Sequence, residues 1–393
     1  MFSRELATGR QIFRPAIMAG PGRFRKWMNA AAELIRDEAR RQGVMSFRRF
    51  MEIALYEPGL GYYERARIGR GGDFQTSVSV GPLFGELLAW QFGEWLDRLR
   101  RAEDAPLVVV ESGAHDGRLA ADILRAFDQW RPELAPRLTY VCLEPSAIRR
   151  RWQEETLAQW RGRVRWMADW SELESPVRGV IFSNELLDAF PFHLFFWARD
   201  ESRWREIGVA LDGGQLVWCC MPRDTVVFDP GLPGELLEVL PDGFCTEHNP
   251  AAERWWGQAA KALEAGKLMT IDYGLDEEEF FAPHRREGTA RAYLGHRLVS
   301  DLLSDPGEQD LTAQVNFTRI LREGDMAGLD TETDTTQTRF LTRLLTGLRR
   351  SGRVDDAWFA SRAGAFQTLT HPDHFGRGFR VVIQSRASSP FGV

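Results

Sequence analysis

From Leu107 onward the chain repeats one pattern, a short continuous apolar run followed by a stretch of helical spacing. "LVVVE" at Leu107–Glu111 is followed by the helical "LAADILRAFDQW", and "LTYVCLE" at Leu138–Glu144 by "AIRRRWQEETLAQW". "VRWM" at Val164–Met167 leads to "GVIFSN" at Gly179–Asn184. After the helical "AAERWWGQAAKALEAG" comes one more strand, "LMTIDY" at Leu268–Tyr273. Uninterrupted apolar strands have no face to give to water, so both faces must be covered, as they are in a parallel sheet between helices. The expected fold is therefore α/β, doubly wound and Rossmann-like.

The rest of the chain is expected to hang on this core. Residues 1–25 read as a loosely attached leader, followed at 26–105 by N-terminal helices and a glycine-rich loop. The helices are "RKWMNAAAELIRDEARR", "SFRRFMEIALY" with Ser46 as N-cap, and the amphipathic "PLFGELLAWQFGEWLDRLR" opened by Pro82. The loop "EPGLGYYERARIGRGGDFQTSVSVG" is long and aperiodic, a length that suits a functional segment. The core is expected over 106–393, with insertions at about 200–245 and about 285–375. In the first of these, "WREIGVALDGGQLVWCCM" predicts a hairpin turning at Gly213 and Gly214.

Composition removes several classes of function. A net charge of -6 over 393 residues argues against a nucleic-acid groove, although the first fifty residues carry eleven basic against four acidic side chains. No window approaches the roughly 20 apolar residues of a membrane span, so no membrane insertion is expected. Cys142, Cys219, Cys220 and Cys245 lack metal-ligand spacing, and no metal is expected. Cytoplasm is the expected location, with the mitochondrion as the alternative for a eukaryotic source. The apolar residues after Pro82 leave a homodimer open.

In an open parallel sheet, ligands bind beyond the carboxyl ends of the strands, which directs attention to four turns. The first is "ESGAHDG", with Glu111, Gly113, His115 and Gly117. Glycines let a backbone approach a ligand, and a helix start offers free N–H groups, yet a glycine pair also serves a plain strand-to-helix connection. The absence of G-x-G-x-x-G disfavours a nicotinamide oxidoreductase. Glu144, at the end of the second strand, could accept from both hydroxyls of a ribose or simply head a helix. Asp169 and Trp170 could meet an adenine, or be a surface acid and a core indole. The fourth turn, "NELLDAFP", sets Asn184, Glu185 and Asp188 in an apolar setting where polar groups need partners. A guanidinium would provide them in bidentate geometry, while a helix cap with exposed acids is the plainer reading.

With these residues in view, the chain resembles the MidA-like family of S-adenosylmethionine-dependent methyltransferases, the family of the mitochondrial complex I assembly arginine methyltransferase. The resemblance runs from about residue 30 almost to the end. It rests on "YEPGLGYY", "GDFQTS", "FGELLA", "NELLDAFP", "IDYG" and "GTARAYLGHRLVSDLLSDPGEQDLTAQVNFT". It implies a seven-stranded class I S-adenosyl-L-methionine methyltransferase core and a protein arginine N-methyltransferase of the complex I assembly type, with a protein segment containing arginine as substrate. By the same resemblance, Glu111, Gly113 and Gly117 flank the methionine part of the cofactor, Glu144 the ribose, and Asp169 the adenine region, beside the ring of Trp170. Asp73, Phe74 and Thr76 close the pocket, and Asn184, Glu185 and Asp188 face the methyl group and its acceptor. The chain departs from the family pattern at His115, where a third glycine is usual. It departs again at Val78 and Ser79, where "TSPE" is usual, and at Gln314 and Asn316, where a His and Asp pair is usual. A second reading is a non-catalytic assembly or partner-binding protein that retains the fold.

Overall fold

The computed structural model describes residues 2–5, 11–13, 29–65, 76–100, 106–222, 228–295, 297–376 and 378–387. The chain divides into two compact units, each assembled from three separated segments. One unit comprises Arg67–Asp188, Ala252–Gly274 and Phe317–Val393. Its sheet contains β1 (Leu107–Ser112), β2 (Leu138–Leu143), β3 (Val164–Met167), β4 (Val177–Asn184), β5 (Leu263–Leu275), β6 (Asp330–Thr336) and β7 (Phe379–Arg386). Across the sheet these strands run in the order β6-β7-β5-β4-β1-β2-β3. β3, β2, β1, β4 and β5 are mutually parallel, and β7 runs antiparallel to both of its neighbours.

Helices of this unit include α1 (Leu83–Arg100), α2 (Arg118–Trp130), α3 (Ala147–Thr156), α4 (Pro250–Ala262), α5 (Phe317–Met326), α6 (Gln337–Arg350) and α7 (Asp356–Thr370). The apolar spacing that reads as helical in the sequence is what buries them. Leu83, Leu87 and Leu88 of α1 and Ile123, Leu124 and Phe127 of α2 join Val109, Val180 and Phe182 of the strands in one core. Phe92 of α1 meets Phe182 of β4 with ring centroids 5.0 Å apart. Burying side chains of this size stabilises the fold by about 1.5–3 kcal/mol each.

The other unit comprises Met1–Ala66, Ala189–Ala251 and Leu275–Asn316. The hairpin foreseen at Gly213 and Gly214 forms here, joining Arg203–Asp212 to Gln215–Cys220. His193–Ala198 pairs with the first of these strands and Cys245–His248 with His193–Ala198, all antiparallel. Phe2–Glu5 and Gln11–Phe13 pair with each other, and the latter meets the hairpin at Cys219. Helices Ala30–Gln42, capped by Asn29, and Phe47–Tyr56, capped by Ser46, bury Ile35, Phe47, Phe50 and Met51 with Leu194, Phe196, Ile207 and Val209. A three-stranded sheet of Arg291–Leu294, Arg297–Val299 and Asp310–Thr312 completes the unit.

The boundaries expected near residues 25 and 105 do not coincide with these units. Antiparallel pairing across large sequence separations gathers residues 45–46 and 193–220 into one sheet, and local patterns carry no trace of that. Within 285–375, moreover, β6, α6 and α7 belong to the unit of the parallel sheet. Among the described residues no helix is long and apolar enough to cross a membrane.

Candidate active site

Strand order reverses between β1 and β4, since β2 and β3 lie beyond one and β5 beyond the other. A crevice is expected at the carboxyl ends of the two strands that part company there. The turns leaving them are the glycine turn at 113–117 and the turn at 184–188, and they touch. A Cβ placed on Gly113 would stand 2.9 Å from Leu186 Cδ1. Gly113 and Gly117 have φ of 76° and 82°, the left-handed region that a side chain strains. His115 accepts that strain with φ of 47°. Its ring lies 5.9 Å from that of Trp152, and its Nδ1 stands 3.9 Å from Asp116 Oδ1. Burial works to raise the Asp116 carboxyl, and His115 with Arg118 outweigh it and leave it below the usual range.

Glu111 closes β1 and is 2% exposed. Tyr140 donates its hydroxyl to Glu111 Oε2 at 2.6 Å, but burial dominates and pushes the carboxyl up to about 8. Glu144 is buried as well, at the end of β2. Its Oε1 accepts from Ser146 N at 2.9 Å and pairs with Arg149 Nη2 at 2.8 Å, while Oε2 accepts from Gln153 Nε2 at 3.3 Å. Asp169 is exposed and caps the short helical turn Trp170–Glu172, where hydrogen bonds from Ser171 hold its carboxyl below the usual range. Trp170 is half-buried, its ring 6.3 Å from that of Trp255, with an indole N–H that finds no partner among the described residues.

The turn after β4 is fixed from two sides. Asp272 of β5, fully buried, accepts at Oδ2 from Leu186 N at 3.1 Å and Leu187 N at 2.7 Å, and at Oδ1 from Tyr273 N at 2.8 Å. Burial pushes its carboxyl up to about 6 against the pull of these donors. Glu185 takes φ of 52°, donates its N–H to Ile271 O at 2.9 Å, and accepts at Oε1 from Asn184 Nδ2 and Ser77 N, both at 3.0 Å. Asn184 Oδ1 is buried without a hydrogen-bond partner among the described residues. Asp188 is buried to 8% exposure one helical step further on.

Ser77 belongs to a short 3-10 helix, Ser77–Val80, capped by Thr76. Ser79 N donates to Thr76 Oγ1 at 3.3 Å and Thr76 N donates to Ser79 Oγ at 3.1 Å. The departure at Ser79 therefore keeps the capping box that a glutamate would make. Asp73 and Phe74 lie outside the described residues. Gln314 lies in the other unit and donates its N–H to Thr289 Oγ1 at 3.0 Å. The structure thus sets Gly113 against Leu186 of the second turn, and the helix capped by Thr76 against Glu185 through Ser77, while Gly117 packs on Gln153 and Leu157. Asp272 and Ser77, which hold the second turn, do not stand out among the sequence candidates. The signal for Asp272 was an acid inside the apolar run "LMTIDY".

Residues 87–334 match the family Methyltransf_28, described as S-adenosyl-L-methionine-dependent methyltransferases. The chain belongs to this methyltransferase family. A solved structure from Burkholderia thailandensis bound to S-adenosyl-homocysteine is similar to it. It shares 31% identity and a TM-score of 0.76 over 91% of this chain and 92% of that one. Among curated proteins, the protein arginine methyltransferase NDUFAF7 of Danio rerio, named mitochondrial, is 29% identical over 73% of this chain and 69% of its own length. The Mus musculus protein of the same name is 26% identical over 86% of this chain and 80% of its own length. The family match takes in β1 to β5 and both the turn at 113–117 and the turn at 184–188.

Proposed function

We propose that this chain is an S-adenosyl-L-methionine-dependent methyltransferase that acts on arginine in a protein, with the crevice between β1 and β4 as its active site. The observation that carries this reading is the turn Asn184–Asp188 at the switch point, whose backbone is held by Asp272 and whose Glu185 carboxylate is held by Ser77 N. Family membership supplies the reaction type, and relatives named as protein arginine methyltransferases support the acceptor. The order β6-β7-β5-β4-β1-β2-β3 with an antiparallel β7 supports the seven-stranded class I arrangement.

The residues present fit the cofactor. Glycines with left-handed backbone at 113 and 117 shape the turn after β1 without side chains of their own, and Asn184 Oδ1 is a buried acceptor with no hydrogen-bond partner among the described residues. Glu111, Gly113 and Gly117 would hold the methionine part, Glu144 the ribose, Asp169 and Trp170 the adenine, with Asp73, Phe74 and Thr76 closing the pocket. When bound, the cofactor supplies a methyl group already activated on a sulfonium. What remains for the protein is alignment, and proximity is worth about 7–11 kcal/mol in well-oriented reactions. Glu185 and Asp188 would grip the guanidinium in bidentate fashion and favour a lone pair on one nitrogen. The positive φ of Glu185 aims its carboxyl off the line of β4, a local strain consistent with function.

Complex I assembly is the finer role that the resemblance implies. The relatives named mitochondrial give the cytoplasmic expectation no support and favour the mitochondrial alternative for a eukaryotic source. The test is calorimetry with S-adenosylmethionine and S-adenosylhomocysteine, followed by transfer of a radiolabelled methyl to cell protein and acid hydrolysis. Binding and label in methylarginine are expected. Failure of both ligands to bind at millimolar concentration overturns the methyltransferase reading, and label confined to other residues overturns the arginine assignment.

A further inference from the structure

We infer that Gln153 is a positioning residue that locks the glycine turn to the ribose-binding acid. The inference rests on the cofactor reading above and concerns a residue that would not touch the cofactor itself.

Gln153 lies on α3, fully buried, on the same helix face as Arg149. Its carboxamide is held in one orientation. Trp166 Nε1 donates to its Oε1 at 3.0 Å, so the nitrogen faces the other way. That nitrogen donates to the His115 carbonyl at 3.0 Å and to Glu144 Oε2 at 3.3 Å. One amide therefore joins the middle of the turn after β1 to the acid that ends β2. Contact is close in the backbone as well, since a Cβ on Gly117 would come within 3.3 Å of Gln153 Cα.

The need for such a lock follows from the turn. His115 holds a left-handed backbone at φ of 47°, a strained conformation for a residue with a side chain that persists only where its surroundings impose it. Ser146 and Arg149 attend to Glu144 Oε1, whereas among the described residues Gln153 is the donor to Oε2. Removing the amide strips a donor from the buried Glu144 carboxylate and from the part-buried His115 carbonyl at once, and an unpaired buried acceptor is expensive. The relaxed state is a glycine turn and a carboxylate that no longer share a frame.

The test is titration of the full chain with S-adenosylhomocysteine at pH 6 and pH 9, for the wild type, Gln153→Glu and Trp166→Phe. At pH 9 the carboxylate introduced by Gln153→Glu faces two acceptors, and affinity is expected to fall about 10- to 100-fold. At pH 6 the introduced carboxyl takes a proton, donates its one O–H to one of the two acceptors, and recovers part of that loss relative to wild type at the same pH. Trp166→Phe leaves the amide in place but free to turn over, and a fall of about 3- to 10-fold is expected at both pH values. Variants that bind within twofold of wild type at pH 9 overturn the inference. So does a loss in Gln153→Glu that is equal at both pH values, because that marks a packing role. If Gln153→Glu does not fold by circular dichroism, Trp166→Phe decides. A wild type that binds no ligand overturns the cofactor reading instead, a distinguishable result.

Discussion

Single buried carboxylates flank the two turns, and their burial makes their consequences measurable. Asp272 accepts backbone N–H groups of the turn that carries Glu185 and Asp188. Asp272→Asn keeps the shape but faces an N–H of its own toward donors, so one or more of these bonds is lost at about 1–3 kcal/mol each. A drop in methyl transfer of at least about 100-fold with smaller change in cofactor affinity is expected from kinetics and calorimetry together; unchanged turnover would refute the anchoring role. Glu111 offers a test in pH. Its folded carboxyl titrates near 8 and an unfolded one near 4.3, so between these values the native chain holds more protons. Stability must then fall as pH rises from about 4.3 to about 8 and level off above it, by about 5 kcal/mol at most. Glu111→Gln keeps a neutral side chain beside Tyr140 at every pH, and urea denaturation across that window should show a shallower slope than wild type. An identical slope would mean that Glu111 is ionised in the fold.

At the scale of elements, the site depends on a helix of one turn and on strands packed without side chains between them. Thr76 and Ser79 cap each other, and the helix so formed aims Ser77 N–H at Glu185. Ser79→Ala removes half of that box and should lower stability by about 0.5–2 kcal/mol in thermal melts, while Ser79→Glu should restore it. In the parallel sheet, Gly179 of β4 lies opposite Val108 of β1, and a Cβ there would fall 1.8 Å from the Val108 carbonyl. Gly179→Ala therefore forces the strands apart and is expected to cost at least about 3 kcal/mol, read from the denaturation midpoint. Elements were legible where burial wrote a continuous apolar run, as in β1, β2 and β4. β6, "DTETDTT", is invisible by that rule because it is a mostly exposed edge strand made of threonine and acids. The hairpin at Gly213 and Gly214 was legible because its turn is local, whereas its pairing with residues 45–46 is not written in either segment.

For the whole molecule, the sequence named the two turns of the crevice because glycines and clustered acids are conspicuous beyond apolar strands. It could not give the partners of those residues. Asp272 reaches Leu186 across 86 positions, and Ser77 reaches Glu185 across 108, distances over which only the folded sheet makes neighbours. The same division separates the two readings of the intact chain. If it is an enzyme, S-adenosylhomocysteine binds the native state alone and stabilises it by mass action, about 2.7 kcal/mol at a hundred times its dissociation constant. Under the proposed role of Asp188 toward the acceptor, Asp188→Ala should keep that stabilisation within about 0.5 kcal/mol and still lose methyl transfer by about 100-fold or more. A scaffold that merely retains the fold behaves differently, since wild type and variant would then be equally inert in transfer and equally able to support the cellular role. Thermal unfolding with and without ligand, run beside the transfer assay on both proteins, separates the two, because enzyme function requires ligand stabilisation in both chains and turnover in one.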